Sequence, residues 1–364
     1  MIAMSGGVDS SVAAALAAER LGADACVGVA MRLYSMPEDQ TRKGRTCCAP
    51  DDLYDARRAA AALGIRFYVY DGQERFREQV IEPFVQAYAQ GQTPNPCVRC
   101  NDHVKFDWLL DRARKLGASE LITGHYARIE HSGGRFRLLR ARDAGKDQSY
   151  FLHGLTQDEL QLVRFPLGQL TKPEVRSLAR ARGLPNADKP ESMEICFVGD
   201  EPLAGFLEQH GVLAASGEVV DSSGRVLAQH DGVHRFTVGQ RKGVGVSRPL
   251  PLYVASLDAA RQRVVVGTRE EASRSRFSAV QASWVSGVPE AGLCQVQLRH
   301  RGKPLPARVE TDGSTVHVSL LEPALGVAPG QSAVFYRGEE VLGGATIVGD
   351  SGTPYESPTK VRDQ

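Results

Sequence analysis

The stretch Met4-Ser5-Gly6-Gly7-Val8-Asp9-Ser10-Ser11 runs directly into an alanine-rich segment over residues 12–21 that has the pattern of a helix. Its two glycines let the backbone approach a ligand closely, and its three hydroxyl groups beside a helix N-terminus supply hydrogen-bond donors for an anion. A Walker A loop would continue with Gly-Lys followed by Ser or Thr, which this stretch lacks. A plain helix cap would need only one Ser or Asp. We therefore interpret residues 4–11 as the phosphate-binding loop of a nucleotide site.

Strand-like and helix-like segments alternate outward from this loop through the first 190 residues. Strands are predicted over residues 25–33, 65–70 and 120–123, and helices over residues 51–63, 74–90, 104–116 and 173–182. Such alternation indicates βαβ units, so the predicted fold class is α/β with a doubly wound parallel sheet. Only Ile2 and Ala3 precede the loop, although such a sheet normally gives its first strand about five residues. We therefore expect a short first strand that supports the loop weakly.

Beyond about residue 200 the sequence changes to short β-rich runs separated by Gly, Asp-Gly and Pro, after one helical stretch over residues 202–210. This spacing is typical of small β-barrels or sandwiches. We predict a nucleotide-binding catalytic domain over residues 1–200, a central β-rich domain over residues 201–275 and a C-terminal β-barrel domain over residues 276–350. Residues 351–364 have no periodicity and are predicted to form a loose tail.

The composition is that of an ordinary globular chain. The 364 residues are 42% hydrophobic and 24% charged, which excludes collagen-like, mucin-like and disordered classes. No apolar run approaches the roughly 18–20 residues that a membrane span needs, and we expect no signal peptide before the loop. Seven cysteines are an odd number and too few for a disulfide scaffold, so we expect a reducing cytoplasm as the location.

Two cysteine-bearing strings stand out from the rest of the sequence. Thr93-Pro94-Asn95-Pro96-Cys97-Val98-Arg99-Cys100-Asn101 places a Cys-x-x-Cys on a proline-stiffened loop before a helix, and Glu191-Ser192-Met193-Glu194-Ile195-Cys196-Phe197 follows the α/β region. Cys97 and Cys100 could be half of a structural zinc site with Cys47-Cys48, but a second Cys-x-x-Cys or a Cys/His pair is lacking. A thioredoxin-like redox pair is not favoured either, because that motif would follow a strand and open a helix. Since the second half of a zinc site is lacking, we assign no metal ligand.

The first loop resembles the Ser-Gly-Gly-x-Asp-Ser signature of the PP-loop ATP pyrophosphatases. Together with Asp147-Gln148-Ser149-Tyr150-Phe151-Leu152, the two cysteine strings resemble the tRNA-specific 2-thiouridylases, and the resemblance extends to Gly343-Gly344. It implies an adenine nucleotide α-hydrolase-like fold, ATP with Mg²⁺ as a substrate, and adenylation of a substrate oxygen. It also implies that ATP contacts a set of positions around the loop: Ala3, Met4, Ser5, Gly6, Gly7, Val8, Asp9, Ser10, Met31 and Gly124.

The same resemblance implies a reaction and roles for the cysteines. Those enzymes replace the 2-oxygen of the wobble uridine in tRNA with sulfur. The position of Cys196 carries a persulfide, and Cys100 is the nucleophile that works with it. Thiolates do this work, so each is expected near positive charge or a helix N-terminus. Asn95, Pro96 and Cys97 would contact the target base, although some family members have aspartate where this chain has Cys97.

Transfer RNA contacts are implied at a further set of positions, namely His125, Lys146, Asp147, Gln148, Arg299, His300 and Gln331. The family often has Arg-Tyr-Arg where this chain has Arg299-His300-Arg301. The implied partners are tRNA and a sulfur donor, either a cysteine desulfurase or a sulfur-relay protein, and the chain is expected to be a monomer. Two alternatives stay open. One is the same product through an iron–sulfur cluster held by Cys97, Cys100 and Cys196, and the other is a PP-loop synthetase acting on a small carboxylate or amide.

The formal net charge of +1 argues against a nucleic-acid partner only as an average, because the basic residues are clustered. Residues 128–146 contain six basic and two acidic side chains, and residues 225–276 contain ten basic and four acidic ones. A third group without an acid consists of Arg299, His300, Arg301, Lys303 and Arg308. Arginine binds phosphate through paired hydrogen bonds, so we predict that these three groups form an RNA footprint.

Overall fold

A computed structural model describes residues 1–34, 50–191, 195–199, 201–246, 248–285, 287 and 292–349. The N-terminal part contains seven strands: β1 (Ile2–Ala3), β2 (Val27–Arg32), β3 (Arg66–Asp71), β4 (Leu121–Ile122), β5 (Arg128–Ser132), β6 (Arg135–Leu139) and β7 (Val163–Arg164). Five of them form a parallel sheet in the order β3-β2-β1-β4-β7, which confirms the predicted fold class. Cys47 and Cys48, considered above as zinc ligands and not assigned, and the predicted tail over residues 351–364 lie outside the described residues.

Strand β1 is short, as expected, but it is central to the sheet. Ile2 pairs with Gly28 of β2 on one side and with Ile122 of β4 on the other. Ile2 is fully buried, and the Met4 N–H donates to the carbonyl oxygen of Val29 at 2.8 Å. Neighbours on both sides therefore hold the two residues of β1, and the expected weak support for the loop is offset by its central position.

Helices cover both faces of the sheet. Leu121 and Ile122 are adjacent on β4 and belong to two different hydrophobic clusters, as the alternation of side chains along a strand requires. The helices are α1 (Val8–Leu21), α2 (Pro50–Ala62), α3 (Gln73–Phe76), α4 (Glu82–Ala89), α5 (Pro96–Cys100), α6 (Leu110–Lys115), α7 (Gln157–Leu162), α8 (Lys172–Ala181) and α9 (Leu203–Gln209). A π-helical segment, Arg77–Ile81, joins α3 to α4, and another, Asn101–Leu109, joins α5 to α6.

The helix predicted over residues 104–116 begins earlier than the sequence pattern indicated. Pro96 opens α5, and the helical path continues to Lys115. Proline has no N–H to leave unpaired at the first helical position, and its fixed φ suits the first turn. The prolines of the cysteine string therefore start a helix, whereas we expected a loop there.

The C-terminal part consists of ten strands: β8 (Gly217–Val220), β9 (Val226–His230), β10 (Tyr253–Asp258), β11 (Arg263–Gly267), β12 (Ser273–Trp284), β13 (Gly292–Gln297), β14 (Leu305–Asp312), β15 (Thr315–Leu325), β16 (Ser332–Arg337) and β17 (Glu340–Ile347). Strands β8–β11 form a sheet in the order β10-β11-β8-β9. Strands β12–β17 form a closed barrel, because β12 pairs with both β15 and β17. Closure leaves few exposed strand edges.

One hairpin of the N-terminal part belongs to the sheet of the barrel. Strands β5 and β6 pair with each other, and Leu139 of β6 pairs with Glu340 of β17. Residues 128–139 were interpreted as part of a basic stretch, and no strands were predicted there. The predicted boundary between residues 275 and 276 falls inside β12. The domain limits stay a prediction.

Candidate active site

The phosphate-binding loop lies between β1 and α1, at the edge where the parallel strands end. Gly6 has φ +79°, and a Cβ on it would lie 2.1 Å from the carbonyl oxygen of Asp52. Gly124, just after β4, is similarly enclosed, because a Cβ on it would lie 2.8 Å from the Ser10 nitrogen. Only glycine fits both places. Backbone therefore crowds around the start of α1, where unpaired N–H groups attract an anion.

Hydrogen bonds hold this loop in shape. The Ser5 N–H donates to Ser10 Oγ at 3.1 Å. Asn186, which is buried, donates from Nδ2 to the Gly6 carbonyl oxygen and to Ser11 Oγ, both at 2.9 Å. The loop thus combines fixed hydroxyl groups, close backbone approach and the N-terminus of a 14-residue helix. These features fit a pyrophosphate group.

A nearly buried lysine faces the loop. Lys172 is 8% exposed, and its Nζ lies 2.7 and 2.8 Å from the two carboxylate oxygens of Asp9. The same Nζ lies 2.7 Å from Glu191 Oε1, and the Lys146 ammonium binds the other oxygen of Glu191. The Tyr126 hydroxyl donates to Asp9 Oδ1 at 2.8 Å. The side chains form a row of alternating charge from the loop to Lys146.

The protonation states in this row follow from its geometry. Burial alone would raise the pKa of Glu191, but hydrogen bonds and the charges of Lys146 and Lys172 outweigh it and lower the pKa to about 2. Burial, the Asp9 charge and the hydrogen bond to Asp9 all raise the pKa of Tyr126 well above its usual range. Glu191 is therefore an anion and Tyr126 a neutral donor at neutral pH. Because Glu191 lies five residues before Cys196 in the sequence, the row connects the loop to the segment bearing that cysteine.

Cys100 ends helix α5, whose start is fixed by its own sequence. The Asn95 side chain caps the helix by accepting the Cys97 N–H at 3.1 Å, and Pro96 occupies the first helical position. Cys97 is exposed, whereas Cys100 is half-buried. The two prolines and the cap therefore hold both thiols on a rigid turn.

Two further hydrogen bonds fix the residues on either side of Cys100. Arg99 donates from Nε to the carbonyl oxygen of Gln79, in the π-helical segment that follows α3, at 2.8 Å. Asn101 donates from Nδ2 to the Phe151 carbonyl oxygen at 3.1 Å. The Asp147–Leu152 string therefore contacts the cysteine helix directly, so two of the motifs found in the sequence meet in space.

Cys196 is positioned by the aromatic residue that follows it. Phe197 is 2% exposed, and its ring lies 5.3–5.7 Å from the rings of Phe76, Phe84 and Phe206. Two of these contacts are edge-to-face, a geometry that adds attraction to simple burial. Cys196 itself is half-buried beside this anchor.

Cys100, Cys196 and Met31 pack against the same hydrophobic cluster, which also contains Phe197. Met31 lies in β2, whose carboxyl end is at the same edge as the phosphate-binding loop because the strands are parallel. In such sheets ligands bind beyond the carboxyl ends of the strands. The two cysteines predicted to react and one of the residues predicted to contact ATP thus pack against one cluster beside the loop.

The described residues contain no group of three or more His, Cys, Asp and Glu side chains arranged to hold a metal ion. Cys97, Cys100 and Cys196 do not form such a group in this conformation. Cys26 is buried, and burial raises its pKa above the usual range. Cys294 is half-buried, and burial raises its pKa to about 11.

His125, predicted to contact tRNA, lies inside the protein. It is 9% exposed, its ring lies 5.7 Å from those of Phe106 and Phe165, and its Nδ1 is 2.7 Å from Thr123 Oγ1. Burial, and next the charge of Lys105, lower the pKa of His125 well below its ordinary value. The ring therefore has little surface to offer to RNA, and the contact stays a prediction.

Two other predicted tRNA contacts use their side chains within the protein. The Asp147 carboxylate accepts hydrogen bonds from Arg140 Nη1, the Ala141 N–H and the Ser149 N–H and hydroxyl, at 2.9–3.2 Å. Gln148 accepts the Tyr126 N–H on its Oε1 at 2.9 Å. These bonds shape the segment that contacts the cysteine helix. An RNA contact from Asp147 would have to add to this network.

The imidazole of His300 stacks on Phe151, with ring centroids 4.3 Å apart and planes tilted by 36°. Burial, followed by the charge of Arg301, lowers its pKa, and Asp147 opposes the shift. At the position where the family often has tyrosine, this chain therefore has the neutral aromatic ring of His300. That ring packs on a protein residue, Phe151. The side chain of Gln331 bonds to the backbone of Thr93.

Ion pairs within the protein offset most of the positive charge of residues 128–146, and the RNA footprint predicted for them stays a prediction. Acidic residues outside the stretch pair with five of its six cations, namely Arg128 with Glu339, Arg137 with Glu340, Arg140 with Asp147, Arg142 with Glu174 and Lys146 with Glu191. Charge counts along the sequence missed these pairs because most of the acids lie on other elements. Arg135 is exposed.

The other two basic groups keep more open charge. In residues 225–276, four cations have acidic partners: Arg225, Arg235, Arg261 and Arg263. Arg241 and Lys242 are exposed and form no ion pair within the described residues. The same holds for Arg299, Arg301, Lys303 and Arg308. Arg276 and Arg308 both pair in register with Ser319 of β15, so their side chains emerge on one face of the barrel.

Two residues that contact the loop, Lys172 and Asn186, were not predicted from the sequence. One signal was present for Lys172. A lysine opens α8, where the helix dipole and the capping box of Thr171 and Glu174 favour acidic side chains. A cation at such a place needs a strong anionic partner, which Asp9 and Glu191 provide.

No helix among the described residues is long and apolar enough to cross a membrane.

Family models match most of the chain. Residues 1–200 match the model described as "tRNA methyl transferase HUP domain", residues 204–268 the "tRNA methyl transferase PRC-barrel domain", and residues 274–347 the "Aminomethyltransferase beta-barrel domain". These descriptions mention methyl transfer, whereas the curated relatives that match over nearly the whole length are named 2-thiouridylases.

Curated relatives match over nearly the whole length. The chain is 49% identical over 358 residues to the tRNA-specific 2-thiouridylase MnmA of Geobacter metallireducens, a match that covers 95% of this chain and 96% of the relative. It is 50% identical over 352 residues to the protein of the same name from Acidothermus cellulolyticus, with the same coverage of both chains. The Geotalea uraniireducens protein of that name is 47% identical over 356 residues, with 95% of this chain and 94% of the relative covered.

Proposed function

The chain belongs to the tRNA-specific 2-thiouridylases, and on that basis we propose that it replaces the 2-oxygen of a wobble uridine in tRNA with sulfur in a reaction driven by ATP. The observation that carries the proposal is the packing of Cys100 and Cys196 against one hydrophobic cluster beside the phosphate-binding loop. A small-carboxylate synthetase would need no such pair of thiols.

The first step is adenylation. The 2-oxygen of the uridine attacks the α-phosphorus of ATP, the bond to the β-phosphate oxygen breaks, and pyrophosphate leaves. The residues of the loop from Ala3 to Ser10, with Gly124, Asn186 and Lys172 around them, would bind the polyphosphate through backbone N–H groups, hydroxyls and one ammonium. Mg²⁺ bound to ATP would neutralise phosphate charge. The step converts an oxygen that leaves poorly into part of AMP, which leaves readily.

The second step is sulfur transfer. The outer sulfur of a Cys196 persulfide attacks C2 of the adenylated uridine, and the carbon–oxygen bond to AMP breaks. The Cys100 thiolate then attacks the Cys196 sulfur and breaks the S–S bond. The transferred atom stays on the base as the 2-thio group, and Cys100 and Cys196 are oxidised together to a disulfide. A dithiol reductant must reduce that disulfide, and a persulfide donor must load Cys196 again.

In this proposal residues 1–200 perform the chemistry, while residues 201–275 and 276–350 bind most of the tRNA. Arg299, Arg301, Lys303 and Arg308, all exposed, support that division. The target base would leave its stack to reach the loop of Asn95, Pro96 and Cys97. Since tRNA is the substrate and ATP is cytosolic, we propose a cytoplasmic location. We also propose that the chain acts as a monomer.

The test incubates the protein with ATP, Mg²⁺, a persulfide source and unmodified tRNA, and measures 2-thiouridine by mass spectrometry of the digested tRNA. We expect product from the native chain and none from Cys100→Ser or Cys196→Ser. Cys294→Ser is the matched control, because this thiol lies in the barrel and its raised pKa makes it unreactive. Full activity of either of the first two variants would contradict the mechanism.

The iron–sulfur alternative is tested separately. Protein purified without oxygen is analysed for iron and for visible absorbance, and then assayed. A colourless, iron-free and active enzyme eliminates the cluster. If iron is bound in proportion to protein, and Cys97→Ser loses both iron and activity, then cluster-bound sulfide would take the place of the persulfide in the mechanism.

A further inference from the structure

The barrel binds the backbone of the cysteine loop at one residue. The Thr93 N–H donates to the carbonyl oxygen of Pro329 at 2.8 Å. The Thr93 carbonyl oxygen accepts from Gln331 Nε2 at 2.6 Å. Both backbone groups of Thr93 are thus paired with one turn of the barrel, and the amide of Gln331 takes the place of a backbone N–H. We call the turn Pro329-Gly330-Gln331 the barrel clamp.

The barrel clamp is itself rigid. The Gly330 N–H donates to the Ile347 carbonyl oxygen and the Ile347 N–H to the Gln331 carbonyl oxygen, both at 2.9 Å, which ties the turn to the end of β17. Gly330 has φ +89°, and a Cβ on it would lie 3.1 Å from the Thr93 nitrogen and from Gln92 Cβ. The loop is therefore held by close backbone contact as well as by two hydrogen bonds.

The residues held by the clamp lead directly into the cysteine helix. Thr93 is followed by Pro94, then by the cap Asn95 and by Pro96 at the first helical position, so few backbone torsions separate the clamp from Cys100. On its other side the loop contacts the central domain, because a Cβ on Gly91 would lie 3.4–3.5 Å from side chains of Leu257 and Ala259. A displacement at Thr93 would be passed to the thiols.

We propose that Gln331 is a positioning residue, which sets the place of the Cys100 thiol by holding Thr93. The proposal rests on the function proposed above for Cys100. This role is separate from the one that the resemblance implies for Gln331, a contact with tRNA, because it uses the Nε2 atom that is bonded to Thr93 within the protein. A tRNA contact would affect binding of the substrate, whereas a positioning role affects the rate after binding.

The test compares three variants. Gln331→Met keeps the length of the side chain and removes the donor. Gly330→Ala leaves Gln331 intact and pushes on Thr93 from the same turn. Gln295→Ala is the matched control, because this glutamine is exposed on a neighbouring strand of the barrel. Thermal unfolding and ATP affinity identify any variant that fails to fold.

The kinetic outcome decides between the two roles. We expect Gln331→Met and Gly330→Ala to lower kcat for tRNA thiolation about tenfold or more, with KM for tRNA unchanged, because small displacements of reacting groups cost large factors in rate. Gln295→Ala should match the native chain. An increase in KM for tRNA with unchanged kcat in Gln331→Met, and a normal Gly330→Ala, would overturn the proposal in favour of a tRNA contact.

A second measurement does not depend on thiolation. The rate of alkylation of Cys100 by iodoacetamide, followed by mass spectrometry of the Cys100 peptide without tRNA, should rise about threefold or more in Gln331→Met, because a looser loop exposes a half-buried thiol. An unchanged alkylation rate would overturn the proposal. Failure of the native chain to form 2-thiouridine, with a raised alkylation rate in the variant, would refute the proposed function and leave the role of the clamp intact.

Discussion

The ammonium group of Lys172 lies 2.7 Å from Asp9 in the phosphate-binding loop and the same distance from Glu191. One nearly buried cation thus bridges an acid of the loop and an acid of the segment that leads to Cys196. An incoming pyrophosphate would meet a positive charge already placed by two carboxylates. Loss of the lysine is therefore expected to weaken the binding of phosphate.

We expect Lys172→Met to weaken ATP binding about tenfold or more, since the variant removes a cation and leaves two carboxylates facing the phosphates. Lys172→Arg keeps the charge and should retain most of the affinity. Equilibrium dialysis with labelled ATP measures both variants. Native affinity in Lys172→Met would show that the lysine serves only the fold.

Truncation of Phe197 should change both stability and the reactivity of Cys196. Removing this buried ring costs about 3–5 kcal/mol of the free energy of unfolding, and the segment beside Cys196 loses its anchor. Phe335→Ala is the matched control, because that ring is fully buried in the barrel, 5.4 Å from Trp284. Iodoacetamide should alkylate Cys196 faster in Phe197→Ala alone. Equal alkylation rates in the two variants would contradict the anchoring role.

Acid should destabilise the fold through His153. Burial lowers the pKa of His153 to about 4, against an ordinary value of 6.5. The unfolded chain therefore binds more protons between these values, so stability falls as the pH decreases from 6.5 to 4, by about 3 kcal/mol for this residue. His153→Asn should flatten the dependence of the melting temperature on pH across that window.

His317→Asn is the control for this pH series, because His317 is exposed on the barrel. It should retain the native pH dependence. The buried His125 has a pKa shifted in the same direction, so some slope will persist in His153→Asn. An identical slope in the native chain and in His153→Asn would contradict the assignment.

The open cations of the barrel should carry the salt dependence of tRNA binding. Arg308 is exposed and has no acidic partner among the described residues, whereas Arg137 is paired with Glu340 at 2.8 Å. We expect Arg308→Ala to reduce the slope of log Kd against log salt by about one and Arg137→Ala to leave it unchanged. Filter binding at several salt concentrations measures the slope. Equal effects of the two substitutions would show that ion pairing does not remove a cation from the footprint.

Much of the α/β part could be predicted from local patterns. The strand predicted over residues 65–70 and the helix predicted over residues 51–63 match the observed β3 and α2 to within one residue at each end, because alternation and helical periodicity are local properties. The loop was identified because its glycines and hydroxyl groups are adjacent in the sequence. The roles expected for Cys100 and Cys196 came from the resemblance to the 2-thiouridylases.

The rest depends on contacts between distant residues. Arg128 is 211 positions from its partner Glu339, and Lys172 is 163 positions from Asp9, so charge counts along the sequence could not assign either pair. The β5–β6 hairpin was missed for a related reason. Its strands carry many charges, and they are stabilised by a partner strand that begins only at Glu340.

The pairing of β6 with β17 also has a consequence for biosynthesis. Residues 135–139 are made early, yet the strand beside them is complete only when synthesis has passed Ile347. During translation, at about 5–20 residues per second, the α/β part must wait with one hairpin lacking its partner strand while the remaining residues up to Ile347 are made. A ribosome that stops before Ile347 would therefore release a protein in which β6 lacks its partner strand.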